Sequence, residues 1–323
     1  MKSVYRIARI ALVFAGTAGF FPSIAQTFPE KPIRFIAGYP PGSASDNVSR
    51  ILSAKMSQQL GHQVIVDNRP GAAGNIAAEI TAKAPPDGYT MLLVATNHAI
   101  VSSLYKKLSF DPVRDFACVS LVSTAPTVLV VHPSLSVRSI NDLIALAAKH
   151  PGKMNYASSG SGASPHLTME LLKNSKNLDI THIPFKGVPQ ALTDIIGGQI
   201  DMMFSTMAPA VPLIKAGRLR ALAVSGAKRS PTLQDVPTVA ESIPGFVAES
   251  WQGVLVPAGT PDAIIERLNR AIINALQQPD VGPKLIDLGF IPVGSSSQEF
   301  SSFLKSEIPK WSKVVKASGA SVD

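Results

Sequence analysis

The chain has 323 residues, of which 46% are hydrophobic and 16% are charged. This composition excludes a disordered chain, and the length suits one large domain or two ordinary ones. The 26 prolines and 23 glycines fall in many short turn-like clusters, which favours an α/β protein over a helical bundle. A single cysteine excludes an intramolecular disulfide and a multi-cysteine metal site, and there is no HExxH motif. The sequence therefore predicts neither a metal site nor a cofactor.

The first 25 residues have the pattern of a signal peptide. Three basic residues precede twelve apolar or small residues at 10–21, and small side chains at 23 and 25 suit a signal peptidase. We expect cleavage near Ala25 and Gln26 and export to the periplasm; the alternative is a buried N-terminal helix. Cleavage lowers the formal net charge from +8 to +5. The remaining basic residues are scattered, so a nucleic-acid partner is not expected.

Hydrophobic periodicity predicts strands and helices that alternate along the mature chain. Strands are predicted at 32–37, 63–66, 90–95, 127–131, 154–157, 181–184, 201–204, 219–224 and 252–256. Helices are predicted at 44–60, after a capping box at 139–142, at 188–196, and at 261–276 with Thr260 as N-cap. Repeated β-α-β units imply mainly parallel sheets covered by helices, and nearly 300 such residues more often form two lobes than one.

Two loops rich in small residues each join a predicted strand to a predicted helix. Both place backbone N–H groups and hydroxyls at the positive end of a helix, which is a general anion site. Such corners face the ligand crevice of a parallel sheet, although either loop alone is equally consistent with a structural turn. The candidate ligand contacts are Tyr39, Gly42, Ser43, Ala44 and Asp46 in the first loop, and Ser159, Gly160, Ser161, Gly162, Ser164 and His166 in the second.

No catalytic motif accompanies these loops. The sequence has no phosphate-binding GxxxxGK[ST] motif and no GxSxG nucleophile elbow. Three unrelated SxxK matches lack the partner motifs of a lactam hydrolase, and a triad of Ser161, His166 and Asp194 rests only on common residue types. The sequence therefore predicts no catalytic residue, with an exported hydrolase of small acids or esters as the alternative.

A series of motifs runs in order along nearly the whole mature chain. It comprises FPEKPIR at 28–34, PPGSASD at 40–46, DNRPGAAGNI at 67–76, PDGYT at 86–90, FKG at 185–187, GQID at 198–201, KAGRLRALA at 215–223, VPT at 236–238 and WQG at 251–253. Together they resemble the Bug family, the extracytoplasmic solute receptors of tripartite tricarboxylate transporters. The resemblance implies an α/β, two-lobed type II periplasmic binding protein of the Venus flytrap kind, hinged by two crossing segments. One lobe would comprise 26–123 and 251–323, and the other 124–250.

The resemblance also implies the function. A small carboxylate, either an organic acid or an amino acid, would be captured between the lobes by a monomer and presented to membrane transporter subunits. Further ligand contacts would be Asn97, Lys186, Gly187 and Ser205. Many relatives carry an aspartate where this chain has Ser205, which slightly favours a ligand without an amino group. Bracing of the loops is the alternative role for Asp46 and Asn97, a polar contact within its lobe is the alternative for His166, and an exposed surface position is the alternative for Lys186. A sensory receptor for a signalling partner is a third interpretation of the function.

Overall fold

Strands and helices alternate along the chain, as the periodicity predicts. The computed structural model describes residues 28–105, 107–160, 163–185 and 187–318. The predicted signal peptide and the candidate contacts Ser161, Gly162 and Lys186 lie outside these ranges. The described strands are β1 (Ile33–Ala37), β2 (Val64–Asn68), β3 (Thr90–Ala95), β4 (Phe116–Val131), β5 (Asn155–Ser158), β6 (Thr181–Pro184), β7 (Met202–Thr206), β8 (Arg220–Val224), β9 (Glu249–Pro257) and β10 (Ile291–Pro292).

Helices connect most of these strands. They are α1 (Ala44–Leu60), α2 (Asn75–Ala82), α3 (Asn97–Leu104), α4 (Ile140–Lys149), α5 (Ser164–Lys176), α6 (Val188–Ile196), α7 (Met207–Lys215), α8 (Asp262–Leu276), α9 (Val281–Asp287) and α10 (Ser297–Ser318). The capping box at the start of α4 is confirmed, because Ser139 and Asp142 each accept a hydrogen bond from the other's N–H. Within the described ranges, no helix combines the length and the apolar character that a membrane span requires.

The predicted N-cap of α8 is wrong. The helix begins at Asp262, and Pro261 occupies the N-cap position without a side-chain hydrogen bond. The Thr260 hydroxyl donates instead to the carbonyl of Pro257, at 2.8 Å. Since proline fixes its own φ and lacks an N–H, it suits the entry to a helix, and the chain starts α8 one residue later than predicted.

Strand β4 joins two sheets. The first sheet has the order β2-β1-β3-β9-β4, with β10 on the far side of β4, and the second has the order β4-β7-β5-β6, with β8 also paired to β4. Residues 116–126 of β4 pair with β9, and residues 127–131 pair with β7 and β8. The sequence predicted only residues 127–131 of β4, because Ser120 and Ser123 interrupt the apolar pattern although both are fully buried.

The structure thus has the two-lobed α/β fold that was predicted. Each sheet carries one lobe, and the chain passes between the lobes in β4 and again just before β9. The division into 26–123 plus 251–323 and 124–250 stays a prediction.

Helix α10 packs against both lobes. It contacts α3 and α8 in the first lobe and α5 in the second. The buried carboxylate of Glu307 accepts hydrogen bonds from the indole N–H groups of Trp251 (3.0 Å) and Trp311 (2.7 Å), and it pairs with Lys310. Strand β9, where the chain returns to the first lobe, is therefore attached to the C-terminal helix through a charged hydrogen-bonding group.

Candidate ligand-binding site

Asp46 organises the turn between β1 and α1. The Ser43 hydroxyl at the N-cap accepts a hydrogen bond from the Asp46 N–H, at 3.2 Å. The buried carboxylate accepts from the Gly42 N–H (2.8 Å), Asn68 Nδ2 (2.9 Å) and Arg50 Nε (3.0 Å). Burial raises the pKa of Asp46, but these hydrogen bonds outweigh burial and hold the pKa below its ordinary value. The geometry favours the bracing role, while direct contact with a ligand stays a prediction.

Tyr39 and Asn97 meet beside this turn. Tyr39 follows β1, and Asn97 begins α3 directly after β3, the neighbour of β1 in the sheet. Burial raises the pKa of the Tyr39 phenol, and a hydrogen bond with the Asn97 side chain opposes that rise. The phenol is therefore protonated at neutral pH and has a hydrogen to donate. The structure brings two predicted contacts of the first lobe together.

The turn between β5 and α5 is built around the buried hydroxyl of Ser158. Its Oγ lies 3.1 Å from both the nitrogen and the carbonyl oxygen of Gly160. The same carbonyl accepts a hydrogen bond from the Ala163 N–H, at 3.2 Å. Gly160 has a φ of +127°, a conformation that L-residues with side chains rarely adopt. This position therefore requires the glycine that the sequence supplies.

Helix α5 begins without a polar cap. Its N-cap residue is Ala163, whose methyl group cannot accept a hydrogen bond from the first-turn N–H groups. Ser159 and Ser164, two of the predicted contacts, flank this part of the turn and are only partly buried. The N-cap residue of α5 thus supplies no side-chain acceptor to the first-turn N–H groups, and their contact with an anion stays a prediction.

A buried aromatic cluster lies behind this turn. The rings of His166 and His182 stack with centroids 4.1 Å apart, and Tyr156 stacks on His182 at 4.8 Å. The Tyr156 hydroxyl donates to Glu170 at 2.6 Å. Burial lowers the pKa of His166, and burial together with His166 lowers the pKa of His182 to about 4. Both imidazoles are therefore neutral at neutral pH.

The remaining predicted contacts lie at the ends of β6 and β7. Gly187 is the N-cap of α6, three residues after the end of β6. Ser205 is fully buried in β7, and its hydroxyl donates to the carbonyl of Thr206 at 3.0 Å. The Ser205 hydroxyl is thus engaged by its own strand, and its contact with a ligand stays a prediction.

Sequence reasoning missed Gln252 in β9. This buried side chain donates through Nε2 to the Ser45 hydroxyl of α1, at 3.1 Å. Its Oε1 has no hydrogen-bond partner among the described residues. The Trp251 N–H donates to Thr96, which precedes Asn97, at 2.9 Å. The WQG motif at 251–253 is part of the family resemblance, but an isolated glutamine in a strand does not indicate a contact with α1.

Strand β4 brings the two sets of turns to one region. Ala95, at the end of β3, pairs with Gln252 of β9, and Gln252 in turn pairs with Ser123 of β4. Thr206, at the end of β7, pairs with Thr127 of the same strand. Four residues of a strand span about 13 Å. The carboxyl ends of the parallel strands in both lobes therefore lie at the junction of the two sheets.

Comparison with known proteins places this geometry among solute receptors. A family model described as "Tripartite tricarboxylate transporter family receptor" matches residues 48–320. Protein BugT of Bordetella pertussis is 36% identical over 319 residues, which cover 98% of each chain. A solved R. palustris protein with adipate is 34% identical, with a TM-score of 0.72 over 91% of this chain and 100% of that one. MatC from Rhodopseudomonas palustris with bound malate is 31% identical, with a TM-score of 0.69 over 89% and 100%.

Proposed function

Because this chain belongs to the family of tripartite tricarboxylate transporter receptors, we propose that it binds a small carboxylate between its lobes and presents it to membrane transporter subunits. The family and its solved members are solute-binding receptors, so the chain is a receptor and not an enzyme. Adipate and malate, bound by two relatives, are both small dicarboxylates and represent the ligand class that we propose.

The observation that carries this proposal is the position of two helix starts at one junction. The turn before α1 follows β1, the turn before α5 follows β5, and the strand ends of both lobes converge near residues 123–127 of β4. Helix N-termini attract anions through their N–H groups and the helix dipole. A carboxylate between them gains contacts from both lobes only when the lobes close.

The proposed mechanism is a shift from open to closed forms. A ligand that makes contacts with both lobes stabilises the closed form, and the shift is limited by its difference in affinity for the two forms. The crossing segments, β4 and the chain entering β9, are where the rotation would occur. Membrane subunits would recognise the closed monomer in the periplasm, after export by the signal peptide.

A ligand panel tests the proposal. Purified mature protein is screened by thermal shift against adipate, malate, other mono- and dicarboxylates, amino acids and neutral sugars. We expect stabilisation by carboxylates and none by neutral sugars. Stabilisation by a sugar while every acid fails would refute the proposed ligand class.

Two further measurements test the mode of action. Small-angle scattering with a saturating carboxylate should give a smaller radius of gyration than the ligand-free protein. Mass spectrometry of the ligand after incubation should recover it unchanged, whereas consumption would favour the hydrolase alternative. An unchanged radius at saturation would contradict closure.

A further inference from the structure

We infer that His182 is a positioning residue for the turn between β5 and α5, acting on it through the Ser158 hydroxyl. The inference rests on the proposed function, because it assigns a role in holding the anion-binding turn. His182 Nε2 lies 2.7 Å from Ser158 Oγ, although the two residues are 24 positions apart in the chain. The parallel pairing of β5 with β6 brings them together, since Ser158 pairs with Pro184 and Tyr156 pairs with His182.

The hydrogen-bonding capacity of one hydroxyl fixes the direction of these bonds. Ser158 Oγ contacts the Gly160 N–H, the Gly160 carbonyl and His182 Nε2 at 3.1, 3.1 and 2.7 Å. A hydroxyl donates one hydrogen and accepts at its lone pairs. All three contacts are hydrogen bonds only if Oγ donates to the carbonyl and accepts from both nitrogens. His182 must then carry its proton on Nε2.

The surroundings keep the ring in one orientation. The rings of His166 and Tyr156 both stack on the His182 ring, and their planes lie within 20° of its plane. Glu170 accepts from the Tyr156 hydroxyl and from Lys173 Nζ, each at 2.6 Å. The stack is thus tied to α5, the helix whose start forms the candidate anion site. A rotation of the ring would require this packing to change.

The close Ser–His pair is not the nucleophile and base of a hydrolase. Ser158 is fully buried, and its oxygen is surrounded by the Gly160 backbone and the imidazole. A nucleophile must reach a substrate carbonyl, which this hydroxyl cannot do without leaving the turn. The pair instead fixes the backbone of Gly160, whose carbonyl also accepts from Ala163 at the N-cap of α5.

Three substitutions separate positioning from general destabilisation. His182→Leu and Ser158→Ala each remove one partner of the bond, and His182→Gln supplies an amide nitrogen in the place of Nε2. Leu143→Ala is the control, because it removes buried apolar contacts of the same lobe from α4. The probes are adipate and malate, and affinity is measured by calorimetry for every variant.

We expect His182→Leu and Ser158→Ala each to weaken binding about three- to tenfold, the range for a lost hydrogen bond. Adding His182→Leu to Ser158→Ala should cause no further loss of affinity, because His182 acts on the turn only through the Ser158 hydroxyl. His182→Gln should bind within about twofold of the parent, and Leu143→Ala should lower stability without this loss. Parent-like affinity of His182→Leu, or failure of rescue by His182→Gln, would overturn the inference.

Two measurements on ligand-free protein keep the test independent of the proposed function. Nitrogen-15 spectra of labelled histidines, assigned by the signal that disappears in His182→Gln, should show the proton of His182 on Nε2. Hydrogen exchange of the Gly160 amide should be faster in His182→Leu than in the parent. A proton on Nδ1 or unchanged exchange would overturn the inference, whereas absence of carboxylate binding by the parent would overturn only the proposed function.

Discussion

Replacing Asp46 by alanine should destabilise the protein by about 3 kcal/mol. The substitution removes the acceptor of two partly buried hydrogen bonds, from the Gly42 N–H and from Asn68, and of one bond from Arg50. A hydrogen bond to a charged group contributes about 1.5–3 kcal/mol, and we take the lower value for each partly buried bond because water can enter the vacated space. The Arg50 side chain is 54% exposed, so its ion pair adds at most about 1 kcal/mol.

Asp280→Ala is the matched control. The Asp280 carboxylate also has two cationic partners, Lys55 at 2.9 Å and Lys284 at 3.0 Å, but its side chain is 44% exposed. Surface ion pairs of this kind contribute little to stability because water screens them. The assay is urea unfolding of ligand-free protein, followed by tryptophan fluorescence. Equal free energies of unfolding for the two variants would refute the bracing role assigned to Asp46.

Three further predictions concern the hinge and the core. Gly253→Ala should destabilise strongly in urea unfolding, because the new Cβ would overlap the Phe300 ring and lie 2.6 Å from its Cε1, and Phe300→Leu should relieve part of the loss. Glu307→Gln should lower the free energy of unfolding by about 2 kcal/mol, because two indole N–H groups lose a charged acceptor; a change below about 0.5 kcal/mol would contradict this. Buried His98, which donates to Pro112 at 2.8 Å, has its pKa lowered by burial to about 4, so the unfolded chain binds more protons between pH 6.5 and 4. The free energy of unfolding should therefore fall by about 3 kcal/mol through this residue as the pH is lowered across this window. Urea unfolding of His98→Gln over the same pH range should show a pH dependence smaller by that amount.

Local patterns predicted most of the elements. The helix at 44–60 and the capping box at 139–142 depend on neighbouring residues, and both are confirmed. The N-cap of α8 was wrong because Pro261, and not Thr260, directly precedes the first helical residue, while the Thr260 hydroxyl donates to the Pro257 carbonyl. Residues 116–126 of β4 were missed because serines interrupt the apolar pattern, and the partner that accepts from Ser120 Oγ, the Ser295 carbonyl at 2.8 Å, lies far away in the sequence.

The site was harder to predict, because its contacts join distant parts of the chain. The two loops were identifiable from glycines and hydroxyls at strand-to-helix corners, whereas the partners of Asp46 and Ser158 depend on strand order. Asn68 reaches Asp46 only because β1 pairs with β2, and His182 reaches Ser158 only because β5 pairs with β6. Sequence separation hides such partners until the neighbours in each sheet are known.

The position of β9 has a consequence for the order in which the protein can fold. This strand, residues 249–257, lies between β3 and β4 and pairs with both, so the first sheet has a gap until it arrives. If the chain is exported from its N-terminus, as proposed, β3 and β4 emerge more than a hundred residues before β9. Until β9 is available, one edge of β3 and one edge of β4 remain unpaired, and such open edges favour pairing with other chains. The second sheet has all its strands by residue 224 and can complete its pairing while the rest of the chain is still in transit.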